Sequence, residues 1–431
     1  MQLNLFSLYV LFTMSWFLHL PERVPVLGAM RLDLLLVIVI LIGLFLTEQP
    51  VATDDDSKST RALKLLLIYI IITIPFVQWP GSVIKSGIPN FIKASMFYFF
   101  TVRILNSEKK LLAFFYIFVA CEAFRVLEPV YLHLTEGYWG SSTYMDGDMM
   151  ARLAGAPSDT INGNGLAFVI CTTVSFLYFL SRSFSRPIKF IILLSYPVFG
   201  YALILTASRT GILALGVIMA AIFFKSRRKL MLALTFSLAV LIVVPILTPL
   251  QRDRYLSIGR DDVAGASTAK LRVTGIIDDF KAGLEKPIIG HGVGTSLELN
   301  ANRLGQAMPA HNLYVEIFQE LGGIGLLIFG YFLYSIVHNL SRVLRKAKKL
   351  PAGPSTASLI DITDALQTWM YMNLLFSVAS YGLNSNEWYL LGGGGVVLNR
   401  LITARTSPTS LVECLSENFA QGDIRSCPDP T

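Results

Sequence analysis

Apolar residues run along this chain in blocks about one bilayer long, separated by polar connections that are mostly short. The blocks fall at 3–20, 29–46, 62–79, 89–106, 110–131, 161–181, 188–206, 208–225, 229–248, 312–338, 366–382 and 386–402. A helix crosses the hydrocarbon core with roughly 17–25 mainly apolar residues. The pattern therefore predicts about twelve transmembrane helices, with the blocks at 89–106, 366–382 and 386–402 the least apolar. The first block has neither the positive flank nor the small-residue cleavage site of a secretory signal, and reads as a retained helix.

Two connections are long, 132–160 and 249–310. The second contains STAKLRVTGIIDDFKAGLEKP, in which Leu271, Val273, Ile276, Ile277, Phe280 and Leu284 recur at roughly helical spacing. This predicts an amphipathic helix lying on the membrane surface or over a cavity. Beyond Pro287, Gly290-His291-Gly292-Val293-Gly294 reads as a flexible turn; it is not the GxGxxG of a nucleotide loop. The expected organisation is all-α: a membrane domain over 1–402 and a flexible tail, rich in Ser, Pro and Asp, over 403–431.

Composition removes the alternative of several soluble domains. Mean hydropathy is +0.57 and only 15% of residues are charged, where soluble domains carry about 25%. Basic residues then orient the helices. With the N-terminus inside, the short inner connections hold 18 Lys and Arg, including Arg182, Lys225, Arg227, Arg228 and Lys349. The short outer ones hold six: Arg23, Arg31, Lys85, Lys93, Arg152 and Arg209. That bias follows the positive-inside rule, placing both termini in the cytoplasm and the long connections outside. The net charge of +7 is mostly this bias and needs no nucleic-acid partner. Cys121 and Cys171 lie in apolar blocks and Cys414 and Cys427 in the tail, so no disulfide framework or CxxC metal spacing is expected.

The chemistry-bearing residues gather on the predicted outer side. Arg209 sits in ILTASRTGILAL between apolar neighbours. An arginine at the bilayer centre costs about 2.5–3.5 kcal/mol on insertion scales, and less near an interface. Arg209 is either a snorkelling residue marking a helix end or a fixed guanidinium facing a wet cavity, where it would grip an anion through two parallel hydrogen bonds. Ser208 and Thr210 would add hydroxyls. Arg272 reads as solvated or ligand-facing, and Arg152, ahead of the turn in MARLAGAPSDTINGNGLAFV, as turn-fixing or ligand-facing.

Pro309-Ala310-His311-Asn312 leads into the tenth block. With Pro309 in the first turn, its missing N–H costs nothing, and His311 lies among the free N–H groups of a positive dipole end. That setting keeps the imidazole neutral near pH 7 and able to take a proton. The plainer alternative is a histidine that only caps the helix. Asn312, Glu316, Gln319 and Gly323 draw one polar stripe down the helix, a face expected to meet the bundle interior or a water-filled cavity. His19, His133, His291 and His338 read as structural. Asp146-Gly147-Asp148 is a DxD in which two carboxylates would share a divalent ion, or, more ordinarily, a turn. Asp54, Asp55 and Asp56 read as solvated charge.

These residues carry a resemblance. Ser208-Arg209-Thr210-Gly211, Arg272, the Gly290–Gly294 turn, His311-Asn312 and Glu320-Leu321-Gly322, in that order, resemble the O-antigen ligase and polysaccharide polymerase superfamily of bacterial inner-membrane glycosyltransferases. The shared region is about 160–340, and Asn162-Gly163-Asn164 departs from an expected Pro-Asn pair. The resemblance implies a C-type glycosyltransferase fold with its active site facing the periplasm. It implies an undecaprenyl-diphosphate-linked glycan donor, no metal or other cofactor, and inversion at the anomeric carbon. The acceptor would be a lipid A core sugar for a ligase, the branch His311-Asn312 resembles, or a lipid-linked glycan for a polymerase. Arg209 and Arg272 would hold the diphosphate and His311 would activate the acceptor hydroxyl. Arg152, Ser208, Asn312 and Glu316 are further candidates for substrate contact.

Two other classes compete. A flippase for the same glycolipid predicts repeated halves and broken helices at mid-membrane, and the sequence displays neither. An intramembrane protease would need HExxH or a serine or paired-aspartate site, which the sequence lacks.

Overall fold

The computed structural model describes residues 4–406 except 48–56, 146, 227, 261, 264, 306, 307, 309 and 381. Every apolar block named above contains a helix. Five helices are long and apolar enough to cross a membrane: Lys58–Phe76, Gly163–Ser183, Arg186–Thr206, Lys229–Ile246 and Leu313–Ala347. Leu5–Phe17 and Leu32–Leu46 are apolar but shorter. The chain is a helical, multi-pass membrane protein.

Some helices fall short in apolar character for a visible reason. Pro354–Phe376 carries Asp361, Asp364 and Gln367, all buried. Lys225 Nζ donates to Asp364 Oδ1 at 2.5 Å and to Gln367 Oε1 at 2.7 Å, and Ser183 Oγ donates to Asp361 Oδ2 at 3.0 Å. Charges persist inside such bundles where they pair. Asn386–Arg405 contains a run of four glycines; a Cβ at Gly392 or Gly393 would sit 3.0 Å or less from Tyr98 or Thr101. Small residues let the helices approach this closely.

Three features differ from the sequence-based picture. The 132–160 connection is not helical throughout: Gly140–Met145 pairs antiparallel with Asp148–Leu153. Met145 faces Asp148 across the turn and Gly147 has φ 118°, so Gly147 lies in a hairpin turn and Asp148 opens the second strand. Its strands alternate poorly in the sequence, GSSTYM and DMMARL, which hid them. Next, the 249–310 connection folds as three helices, Pro249–Leu256, Ala266–Gly283 and Ser296–Leu304. Leu271, Val273 and Ile277 stay exposed on the middle one, an apolar face turned away from the bundle.

Finally, one helix is broken. Within Leu313–Ala347, Gly322 has φ 66° and ψ −170°, contrary to the unbroken helix its sequence suggests. The Gly290–Gly294 turn docks in the gap. Gly292 N donates to Glu320 O at 2.8 Å, His291 N to Gln319 O at 3.0 Å and Gly323 N to Pro287 O at 2.7 Å. A Cβ on Gly322 would stand 2.3 Å from Ile288 O, and one on Gly290 2.4 Å from the Glu320 carbonyl. Both positions have positive φ, so backbone conformation and contact together demand glycine. The break is thus closed by protein, satisfying backbone groups that lipid cannot.

Pro309, Asp146, Arg227, Asp54 to Asp56, Cys414, Cys427 and the tail beyond residue 406 lie outside the described residues. Cys121 and Cys171 are buried free thiols.

Candidate active site

The site forms where the chain turns between Arg186–Thr206 and Arg209–Lys225. Only Ala207 and Ser208 join these helices. Ala207 adopts φ 46°, the left-handed region, an unusual place for a residue with a Cβ. Ser208 caps the next helix, accepting from Gly211 N at 3.2 Å, and donates its hydroxyl to Asn164 Oδ1 at 2.9 Å. Arg209 is therefore the first residue of its helix, at the end opposite Lys225.

Helix C-termini leave carbonyls without partners, and here arginines supply them. Arg152 Nε donates to Thr206 O at 2.7 Å, and its Nη2 to Asn164 Oδ1 at 2.8 Å. Arg254 Nε donates to Ala207 O at 2.7 Å. Tyr255 adds a hydroxyl to Ile204 O at 3.2 Å. Arg152 is 6% and Arg254 3% exposed. Asn164, in the segment that departs from the family pattern, thus bridges Arg152 and Ser208, while Asn162 caps the helix at Gly163.

Arg209 reaches the other way. Its Nη1 donates to Ser257 Oγ at 2.8 Å and Gly265 O at 3.3 Å, and its Nη2 to Thr268 Oγ1 at 3.2 Å. Five N–H groups are available to a guanidinium, so the Nε edge keeps two for a ligand. Arg272 lies one turn beyond Thr268 on the same helix and makes no hydrogen bond among the described residues.

Among the described residues, no carboxylate pairs with any of these four arginines. Burial first, and neighbouring arginines second, lower the basicity of this group. Burial and then Arg152, Arg209 and Arg272 pull Arg254 down to about 9. Burial, Arg272 and Arg209 pull Arg152 to about 10. Arg272 is lowered by burial. All remain protonated near pH 7, so the site holds a concentration of positive charge that an anion would relieve.

His311 joins this group. It lies just before the Leu313–Ala347 helix, half-buried, its basicity lowered by burial and then by Arg272. The sequence argument reached a neutral imidazole through the helix dipole; in the structure desolvation is the larger cause. Asn312 rather than His311 caps the helix, accepting from Tyr314 N at 2.9 Å and Val315 N at 3.1 Å and donating to Val378 O at 2.9 Å. Glu316 accepts from Gly382 N at 2.8 Å, and Gln319 donates to Asn300 Oδ1 at 3.2 Å. Asn312, Glu316 and Gln319 of the polar stripe are buried.

The structure therefore gathers Arg152, Arg209, Arg272 and His311, and ties Ser208 and Asn312 into helix caps. Arg254 escaped the sequence argument. Thr248 and Gln251 form a capping box that marks its helix, but nothing in PLQRDRYL tells which arginine turns inward.

Fold and site define a multi-pass membrane protein with an unpaired arginine cluster and a neutral histidine at one end of the bundle. Residues 190–330 match the family described as O-Antigen ligase, so this stretch is similar to that family. That stretch falls inside the 160–340 region of resemblance and includes Arg209, Arg254, Arg272 and His311. No curated protein matches the chain.

Proposed function

We propose that this protein is an inner-membrane glycosyltransferase acting at the periplasmic face, of the O-antigen ligase type. It moves a glycan from undecaprenyl diphosphate to an acceptor sugar hydroxyl on the lipid A core. The observation that carries this reading is the cluster of Arg152, Arg209, Arg254 and Arg272 with no carboxylate among them and His311 beside Arg272. A diphosphate is the leaving group such a cluster suits, since fixed guanidiniums stabilise the negative charge that grows on it.

In the transfer, the acceptor oxygen forms a bond to the anomeric carbon as the bond from that carbon to the diphosphate oxygen breaks. The electron pair leaves with the lipid diphosphate, held by Arg209 and Arg272. The hydroxyl proton passes to neutral His311, the general base. Attack opposite the leaving group inverts the anomeric centre. Arg152 and Arg254 add charge while bracing the Ala207-Ser208 turn, and Ser208 and Asn312 position the helix ends.

A polymerase of the same superfamily would use the same residues with a lipid-linked acceptor. Deleting the gene separates the two. Loss of a ligase leaves full-length chains on undecaprenyl diphosphate and a bare lipid A core. Loss of a polymerase leaves single repeats. A gel of lipid-linked and core-linked glycans reads both, and collapse to single repeats would refute the ligase type. A flippase is less favoured: the helix break at Gly322 is closed by the Gly290 turn rather than opened along a path.

A further inference from the structure

A second polar space lies behind the Leu313–Ala347 helix, a cavity of about 590 Å³. Its rim carries the exposed side chains of Ser86, Asn90 and Asn384, and its floor the buried Glu316 and Glu320. Trp16 forms an aromatic wall. The volume falls in the roughly 300–1,000 Å³ range of small-molecule sites.

Its lining, carboxyls and amides, differs from that of the arginine cluster. Glu316, Glu320 and Glu387 line it. Arg125, on the same wall, is already taken, donating to Asp159 Oδ2 at 2.7 Å and to Glu122 at 3.2 Å. Glu316 and Glu320 are held by backbone N–H groups of Gly382, Gly294 and Ser296. The Asn386 amide, in contrast, has a buried Nδ2 with no hydrogen-bond partner among the described residues. Amides and a carboxylate around an aromatic wall supply donors and acceptors for hydroxyls and an apolar surface for a sugar ring.

The cavity also adjoins the proposed chemistry. Glu316 lies in the first turn of the helix that begins two residues after His311. On the opposite wall, Ile161 precedes by three residues the Asn164 that holds Arg152.

Resting on the transferase reading above, we infer that this cavity binds the uncharged acceptor sugar, recognised by Glu387, Asn386 and Asn90, and presents its hydroxyl toward His311. The donor's anion and the acceptor's neutral ring are thereby sorted into separate compartments.

The test uses purified full-length protein, undecaprenyl-diphosphate-linked glycan extracted from the host, and two acceptor probes, host lipid A core and single lipid-linked repeats. Glu387→Gln is expected to raise acceptor KM about tenfold, the scale of one charge-assisted hydrogen bond, with kcat and donor KM within about twofold. Because a variant can misfold, Ser86→Cys in a chain freed of its other cysteines is labelled after folding with biotin maleimide. Complete labelling is expected to cut transfer about tenfold or more relative to the same variant before labelling, with donor binding retained. Unchanged acceptor KM in Glu387→Gln, unchanged transfer after complete labelling of Ser86→Cys, or loss of donor binding on labelling, each overturns the inference alone. Failure of the wild-type protein to transfer to either probe overturns the transferase reading together with it.

Discussion

Arg254 donates its Nε hydrogen to the carbonyl of Ala207 at 2.7 Å, and Ala207 is the left-handed residue that sets where Arg209 begins its helix. One buried cation thus secures the turn that aims another. Arg254→Lys keeps the charge but cannot reproduce the planar fork that also reaches Met145 Sδ at 3.4 Å. The expected outcome is donor binding weakened about tenfold or more, with the protein still inserted. Retained affinity in a lipid-linked-glycan binding assay would leave Arg254 no part in the site.

The Nε edge of Arg209 is the pair of donors left open. Arg209→Lys and Arg272→Ala are both expected to abolish transfer while the protein stays in the membrane at normal levels, because a point charge lacks bidentate geometry. An active Arg209→Lys enzyme contradicts the two-pronged grip. EDTA is expected to leave transfer intact, and strong inhibition would return attention to Asp146 and Asp148.

His311→Ala is expected to lower turnover about 10²-fold or more, the usual range for loss of a general base, while donor binding survives. Near-normal turnover would reduce His311 to a structural residue. The direction of its shift sets the pH profile. Burial and Arg272 lower its pKa below the ordinary 6.5. Neutral imidazole therefore persists to lower pH than in a free histidine, and kcat should fall only as pH drops through that lowered value. An acid limb above pH 6.5 would contradict the assignment.

Topology can be read chemically. Single cysteines near 145 and 300 are expected to react with membrane-impermeant maleimide in spheroplasts, and ones near 185 and 346 to be protected. The reverse pattern would break the twelve-crossing layout with both termini inside.

The sequence by itself determined the helices and most of the charged cast. Apolar blocks of bilayer length leave the backbone no alternative to helix in lipid, so every block was legible from composition alone. Arg209 and His311 stood out because polar groups beside apolar sequence are costly and rare, and Arg272 through the family resemblance. What only the tertiary structure decided was which polar atoms are already used. Ser208 and Asn312 look free in the sequence but spend their hydrogen bonds on helix ends. Arg254 drew no notice in the sequence but is buried against Ala207. The break at Gly322 depends on the Gly290 turn some thirty residues earlier docking against it. Local sequence encodes propensity and pattern; the partner that satisfies a buried donor, or the backbone that fills a gap, comes from residues distant along the chain.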